Sequence, residues 1–124
     1  MSWLLVGLGG AIGSLARYGL TRVISSSQLF ETFPAGVFLV NTIGSFVIGV
    51  LAGATASDRL TLSYEARALL FAGLLGGFTT FSSFSLDTLT LLRDGHTGQA
   101  FVNVVGQVGL GLAGAWVGYR VAAG

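Results

Sequence analysis

The sequence predicts an all-α membrane protein with four transmembrane helices per chain. Three observations carry this. Only 9% of the 124 residues are charged and 52% are hydrophobic, whereas a soluble domain carries roughly 25% charged residues to cover its surface. Four stretches reach the ~20 mainly apolar residues that a spanning helix needs. The segments between them are short and polar, with no room for a soluble domain. The chain therefore reads as one integral membrane domain, 1–124, in a bilayer.

The first span is expected at about 2–24. It is apolar from its start, lacks the basic leading region of a signal peptide and carries Arg17 at its far end, so it reads as a retained helix. The second span, about 33–56, begins at Pro34, which suits a helix first turn. The third, about 64–92, is the polar one. The fourth, about 99–122, carries Asn103 and Gln107 at i, i+4 spacing, so both amides share a face. The expected connections are SSSQLFET, SDRLTLS and RDGHTG. Each span holds a pair of glycines four apart: Gly9 and Gly13, Gly49 and Gly53, Gly73 and Gly77, Gly114 and Gly118. Such pairs let helix backbones approach closely in lipid, where packing drives association.

Charge fixes no orientation. Topology follows the Lys/Arg bias of short loops. The chain has no Lys, and its six Arg divide evenly. Arg59, Arg67 and Arg120 fall towards the side of the termini, and Arg17, Arg22 and Arg93 towards the other. A chain that inserts both ways can form an antiparallel dimer. Four helices enclose little space alone, and two-fold homodimers are the commonest assembly.

The chemistry concentrates in the third span, which reads GLLGGFTTFSSFSLDTL from Gly73 to Leu89. Polar residues inside a span face protein or a water-filled path. Gly76 and Gly77 beside Thr79 and Thr80 weaken helix propensity near mid-bilayer. A break there would free backbone carbonyls able to hold a bare cation; an unbroken, tightly packed helix is the other reading. Phe81 and Phe84 share one face, and Ser82 and Ser85 the neighbouring one. Ring edges are electropositive, so phenyl edges and hydroxyls can both face an anion, although such aromatic pairs also serve plain packing. The Asn41 amide, with Thr42 and Ser45 nearby, can donate to an anion or bridge helices, as can Asn103 and Gln107. Arg17 can snorkel to the interface or draw anions to a vestibule. Asp87, ~12 Å along the helix from the span's midpoint at 1.5 Å per residue, is expected near the water boundary, paired with an Arg. His96 is expected to be solvated.

Several function classes fall away. No cysteine is present, so there is no disulfide or thiolate metal site, and a net charge of +1 gives no footprint for nucleic acid. No catalytic triad, metal cluster or phosphate loop appears, so the chain is not expected to be an enzyme. No acid or base lies mid-span, which leaves no evident proton relay.

GLLGGFTTFSSF, NTIGSF and GGAIGSLARY together make the sequence resemble the bacterial fluoride channel family, Fluc, also called CrcB. The resemblance covers essentially the whole chain, and the third-span motif is its specific part. It implies an antiparallel, dual-topology homodimer in the bacterial inner (cell) membrane, multi-pass, exporting fluoride passively and so limiting its toxicity. Phe81 and Phe84 match the family's pore phenylalanines, Asn41 its second-span asparagine, Ser82 and Ser85 its hydroxyl positions, and Arg17 its vestibule arginine. A structural sodium ion is implied at the dimer centre, held by the backbone carbonyls of Gly76 and Thr79 from both chains. The chain departs at Asn103 and Gln107, where many relatives carry a Tyr and a small hydroxyl residue. The rival reading is a small proton-coupled multidrug exporter, which needs an embedded carboxylate that the first span lacks. A non-transporting helper of a larger complex would not need the polar and phenyl stripes.

Overall fold

The computed structural model describes residues 1–26 and 32–124, without the Ser26 side chain; most of the SSSQLFET connection lies outside the described residues. Among those described, all regular structure is helical, and four helical segments are long and apolar enough to cross a membrane: Ser2–Ser25, Ala35–Ala56, Tyr64–Arg93 and Thr97–Ala123. The first is α1 (Ser2–Ser26) and the second α2 (Ala35–Ala56), which Pro34 immediately precedes, its carbonyl accepting from the Phe38 amide at 3.2 Å.

The third span is composite. Ser63 caps α3 (Tyr64–Arg67), its hydroxyl accepting from the Ala66 amide at 3.1 Å. The backbone then widens into a π-helix over Ala68–Leu75 and returns to one α turn, α4 (Gly76–Phe78). Helix geometry stops at Thr79 (φ −91°, ψ 156°) and Thr80 (φ −152°, ψ 118°), both extended. It resumes as α5 (Phe81–Arg93). The break falls where the glycine and threonine pairs meet, as one of the two sequence readings has it.

Helix α5 ends in a Schellman motif: Gly95 takes φ +84°, its amide reaches Leu92 O at 3.2 Å, and the His96 amide reaches Leu91 O at 2.8 Å. Helix α6 (Thr97–Ala123) completes the bundle.

Packing runs through backbone. Helix α1 lies chiefly against the π-helical stretch and α4, and α2 chiefly against α6. A Cβ on Gly9 would meet Leu69 O at 2.7 Å, and one on Gly77 would meet Gly10 O at 2.5 Å. Gly49 and Gly53 approach the backbone of Ala115 and Tyr119, and Gly118 that of Phe46 and Val50. These positions accept no side chain, and the close approach supplies dispersion contact that bulkier residues would prevent.

Three arginines rest on aromatic rings of their own helices: Arg22 on Tyr18, Arg67 on Phe71 and Arg120 on Trp116, at 5.2–5.8 Å from the ring centroids. The first and third fall near helix ends, where cationic and aromatic side chains anchor a span to the interface.

Candidate pore site

The broken backbone organises the site. An unbroken helix would carry the Thr80 amide to Gly76 O and the Ser83 amide to Thr79 O. Instead Thr80 N–H donates to Asn41 Oδ1 at 2.9 Å, and Ser83 N–H to the Thr80 hydroxyl at 3.3 Å, so Thr80 caps α5. The carbonyls of Gly76 and Thr79 are thereby relieved of those helical donors. The neighbouring Gly77 carbonyl accepts from Arg17 Nε at 3.1 Å. One guanidinium nitrogen of Arg17 is thus tied to the break.

Asn41 pairs with the break from the opposite side. Its Nδ2 donates to Thr80 O at 3.1 Å and to Gln107 Oε1 at 2.8 Å. Gln107 Nε2 donates to Asn103 Oδ1 at 2.9 Å, and Asn103 Nδ2 to Thr88 Oγ1 at 3.0 Å. The Thr88 hydroxyl donates to Phe84 O at 2.8 Å. The i, i+4 amides of α6 therefore form one ladder that joins α2 to both ends of the phenyl segment. Asn103 is fully buried and Gln107 is 8% exposed.

A cavity of about 390 Å³ lies in front of this ladder. Asn41, Ser45, Thr79, Thr80 and Gln107 supply its polar lining, and Phe71, Phe81 and Phe84 its rings. None of the described residues lining it is ionisable. The Phe81 and Phe84 rings are 5.5 Å apart and tilted by 51°, within the range of aromatic pair contacts. Phe81 is 78% exposed in the single chain, and Ser82 and Ser85 are exposed beside it. Ser82 lies 3.2 Å from the Thr80 hydroxyl.

The structure thus brings Asn41, Phe81, Phe84, Gln107, Gly76 and Thr79 around one cavity. Asn103 stands behind Gln107, and Ser82 and Ser85 on the adjoining open face. Sequence reasoning noted Thr80 and Thr88 only as polar residues of the span, yet Thr80 is the cap and Asn41's partner, and Thr88 ends the ladder. The threonine three residues before Ser83 was the readable sign of a helix restart.

Two expectations need correction. Asp87 is not paired with an arginine. Its Oδ2 is buried without a hydrogen-bond partner among the described residues, and it lines two smaller cavities with Thr32 and Pro34. The described ion pair is the exposed Arg93–Asp94 contact at 3.7 Å, next to each other in sequence, so Arg93 turns to Asp94. His96 is half-buried rather than fully solvated, and it lines one of the cavities beside Asp87.

Comparison with known proteins agrees with this architecture. Residues 4–119 match the family model described as CrcB-like protein, Camphor Resistance (CrcB). Proteins named fluoride-specific ion channel FluC are similar over nearly their whole length. The one from Opitutus terrae is 47% identical, covering 98% of this chain and 92% of the relative. That from Methylobacillus flagellatus is 48% identical, covering 95% and 91%. One from Thermus thermophilus is 48% identical, covering 96% and 93%.

Proposed function

The chain belongs to the CrcB family, and from that premise we propose that it is a fluoride-selective channel through which fluoride leaves the cell passively. The observation that carries this reading is the cavity at the break: three phenyl rings and neutral amide and hydroxyl groups, without an ionisable residue among the described lining, between membrane-spanning helices. Fluoride is small and strongly hydrated, so a pore must replace its water shell with donors. A fixed cation among them would hold the ion, whereas conduction needs binding weak enough to release it. Phenyl edges, hydroxyls and the Gln107 amide meet that need, and the Arg17 charge lies behind the break to draw anions in. Phe81, Phe84, Ser82 and Ser85 are the proposed path, with Asn41 and Gln107 forming its amide wall and Asn103 backing Gln107.

The working unit is proposed to be an antiparallel homodimer of dual topology in the bacterial inner membrane. Two features support it: the even split of the arginines, and the exposure of Phe81, Ser82 and Ser85 on a single chain, where a second copy would complete the enclosure. A structural sodium ion fits the relieved carbonyls of Gly76 and Thr79, two from each chain. When bound, such an ion neutralises carbonyl dipoles that the break leaves without amide partners. A proton-coupled exporter is disfavoured, since it needs a carboxylate at its binding cavity and none lines this one.

Efflux of fluoride from liposomes containing the purified chain tests the proposal. Rapid fluoride release without a proton gradient is expected. Liposomes that keep their fluoride while holding assembled protein would refute it.

A further inference from the structure

The amide ladder has a direction, and that direction is set by backbone. Thr80 offers Asn41 one N–H and one C=O, so Oδ1 must meet the former and Nδ2 the latter. The second hydrogen of Asn41 Nδ2 then points to Gln107 and requires an acceptor, which makes that atom Oε1. Gln107 Nε2 is left facing Asn103, whose nearer atom must be Oδ1, and Asn103 Nδ2 turns to the Thr88 oxygen. Thr88 accepts there because its own hydrogen goes to Phe84 O. Reversing Asn41 or Gln107 would set donor against donor and acceptor against acceptor, and reversing Asn103 would set its nitrogen against that of Gln107 and draw the Thr88 hydrogen away from Phe84 O, a heavy penalty in a buried site.

Both Nδ2 hydrogens of Asn41 are consequently engaged. Among the described residues Gln107 Nε2 has one engaged and one without an acceptor, on a residue that lines the cavity. We infer that Asn103 is a positioning residue: the relay from Thr80 to Thr88 holds the Gln107 amide with its nitrogen towards Asn103, leaving that nitrogen's second hydrogen as the amide donor for fluoride. Asn103, fully buried, never meets the ion. Without it the Gln107 amide keeps only its Oε1 contact to Asn41, and its nitrogen, no longer aimed by an acceptor, swings about that contact and carries the second hydrogen off the ion. The inference rests on the fluoride-channel reading and assigns the donor within it.

The test is the fluoride-concentration dependence of flux through the full-length chain in liposomes. Asn103→Leu removes the acceptor that holds Gln107, and Thr88→Val removes only the last hydroxyl, a milder change should the first variant fail to assemble. A merely structural defect lowers the number of working channels, and with it the maximal rate. A misaimed donor instead raises the half-saturating fluoride concentration. Asn103→Leu is expected to raise it roughly tenfold and Thr88→Val about threefold, the range for losing one hydrogen bond wholly or in part. In a Gln107→Met background neither substitution should shift it further, since the residue they act through is gone. Unchanged half-saturation in both single variants, or shifts that persist undiminished in the Gln107→Met background, would overturn the inference. Absence of flux in the unsubstituted chain would instead overturn the channel reading itself.

Discussion

Replacing Asn41 by Asp changes one atom and is expected to disable the pore. The substitution preserves size and keeps an oxygen for the Thr80 amide. It removes both hydrogens that now reach Thr80 O at 3.1 Å and Gln107 Oε1 at 2.8 Å, and faces those oxygens with a third. Two lost hydrogen bonds cost about 1–3 kcal/mol together. A larger effect acts on the ion. A carboxylate within ~4 Å of an anion opposes it by about 4 kcal/mol at an effective dielectric constant of 20. Each 1.4 kcal/mol is a factor of ten in occupancy, so fluoride flux should fall by two to three orders of magnitude near neutral pH. Fluoride-electrode recording of efflux from liposomes measures this directly, with size-exclusion elution confirming assembly. Efflux within a fewfold of the unsubstituted chain, in a correctly assembled variant, would refute the placement of Asn41 beside the ion path.

Phe81→Ile should greatly slow efflux with little change in the unfolding of the isolated chain, because a ring 78% exposed there contributes little to its core; unaltered efflux would remove the ring from the path. Gly77→Ala places a methyl 2.5 Å from Gly10 O, where ordinary contact begins at 3.4 Å, so α1 must withdraw by about 0.9 Å. That overpacking costs about 1–3 kcal/mol and loosens the Arg17–Gly77 bond, which thermal unfolding in detergent and the efflux rate should both report. Gly95→Ala forces a side chain into φ +84° and should cost about 1–2 kcal/mol of stability without reaching the cavity, so efflux per folded channel should stay constant. Lysines added beside Met1 should bias insertion to one orientation and reduce functional assembly; full activity in a chain shown by accessibility labelling to insert one way only would rule out dual topology.

Much of this molecule was legible because lipid leaves few options. With no water to satisfy the backbone, apolar runs of spanning length must be helices. The break was legible as one of two readings, since Gly76, Gly77, Thr79 and Thr80 are poor helix formers. The π-helix was not. Apart from Gly73, Ala68–Leu75 is composed of residues that suit an ordinary helix, and the wider turn coincides with the approach of Gly9 and Gly13 to Leu69 and Leu74. Spacing placed Asn103 and Gln107 on one face, but their partner Asn41 is 66 residues from Gln107, and that pairing depends on how α2 seats against α6. Charge gave Arg17 two readings, the interface or a vestibule, and the family resemblance pointed to the second; its bond to Gly77 O depends on a crossing between α1 and α4 that no local pattern encodes.

The pairing of α1 with the third span, and of α2 with α6, bears on how the chain is made. Each helix finds its main neighbour two spans later rather than next in line. During synthesis the first two spans leave the ribosome before either has its principal mate, and Asn41 emerges with neither Thr80 nor Gln107 to meet it. Thr80 reaches it with the third span, but Gln107 only with the last. The pairing of α1 with the third span can therefore form before α6 exists, whereas α2 and the amide ladder are completed only by the last helix.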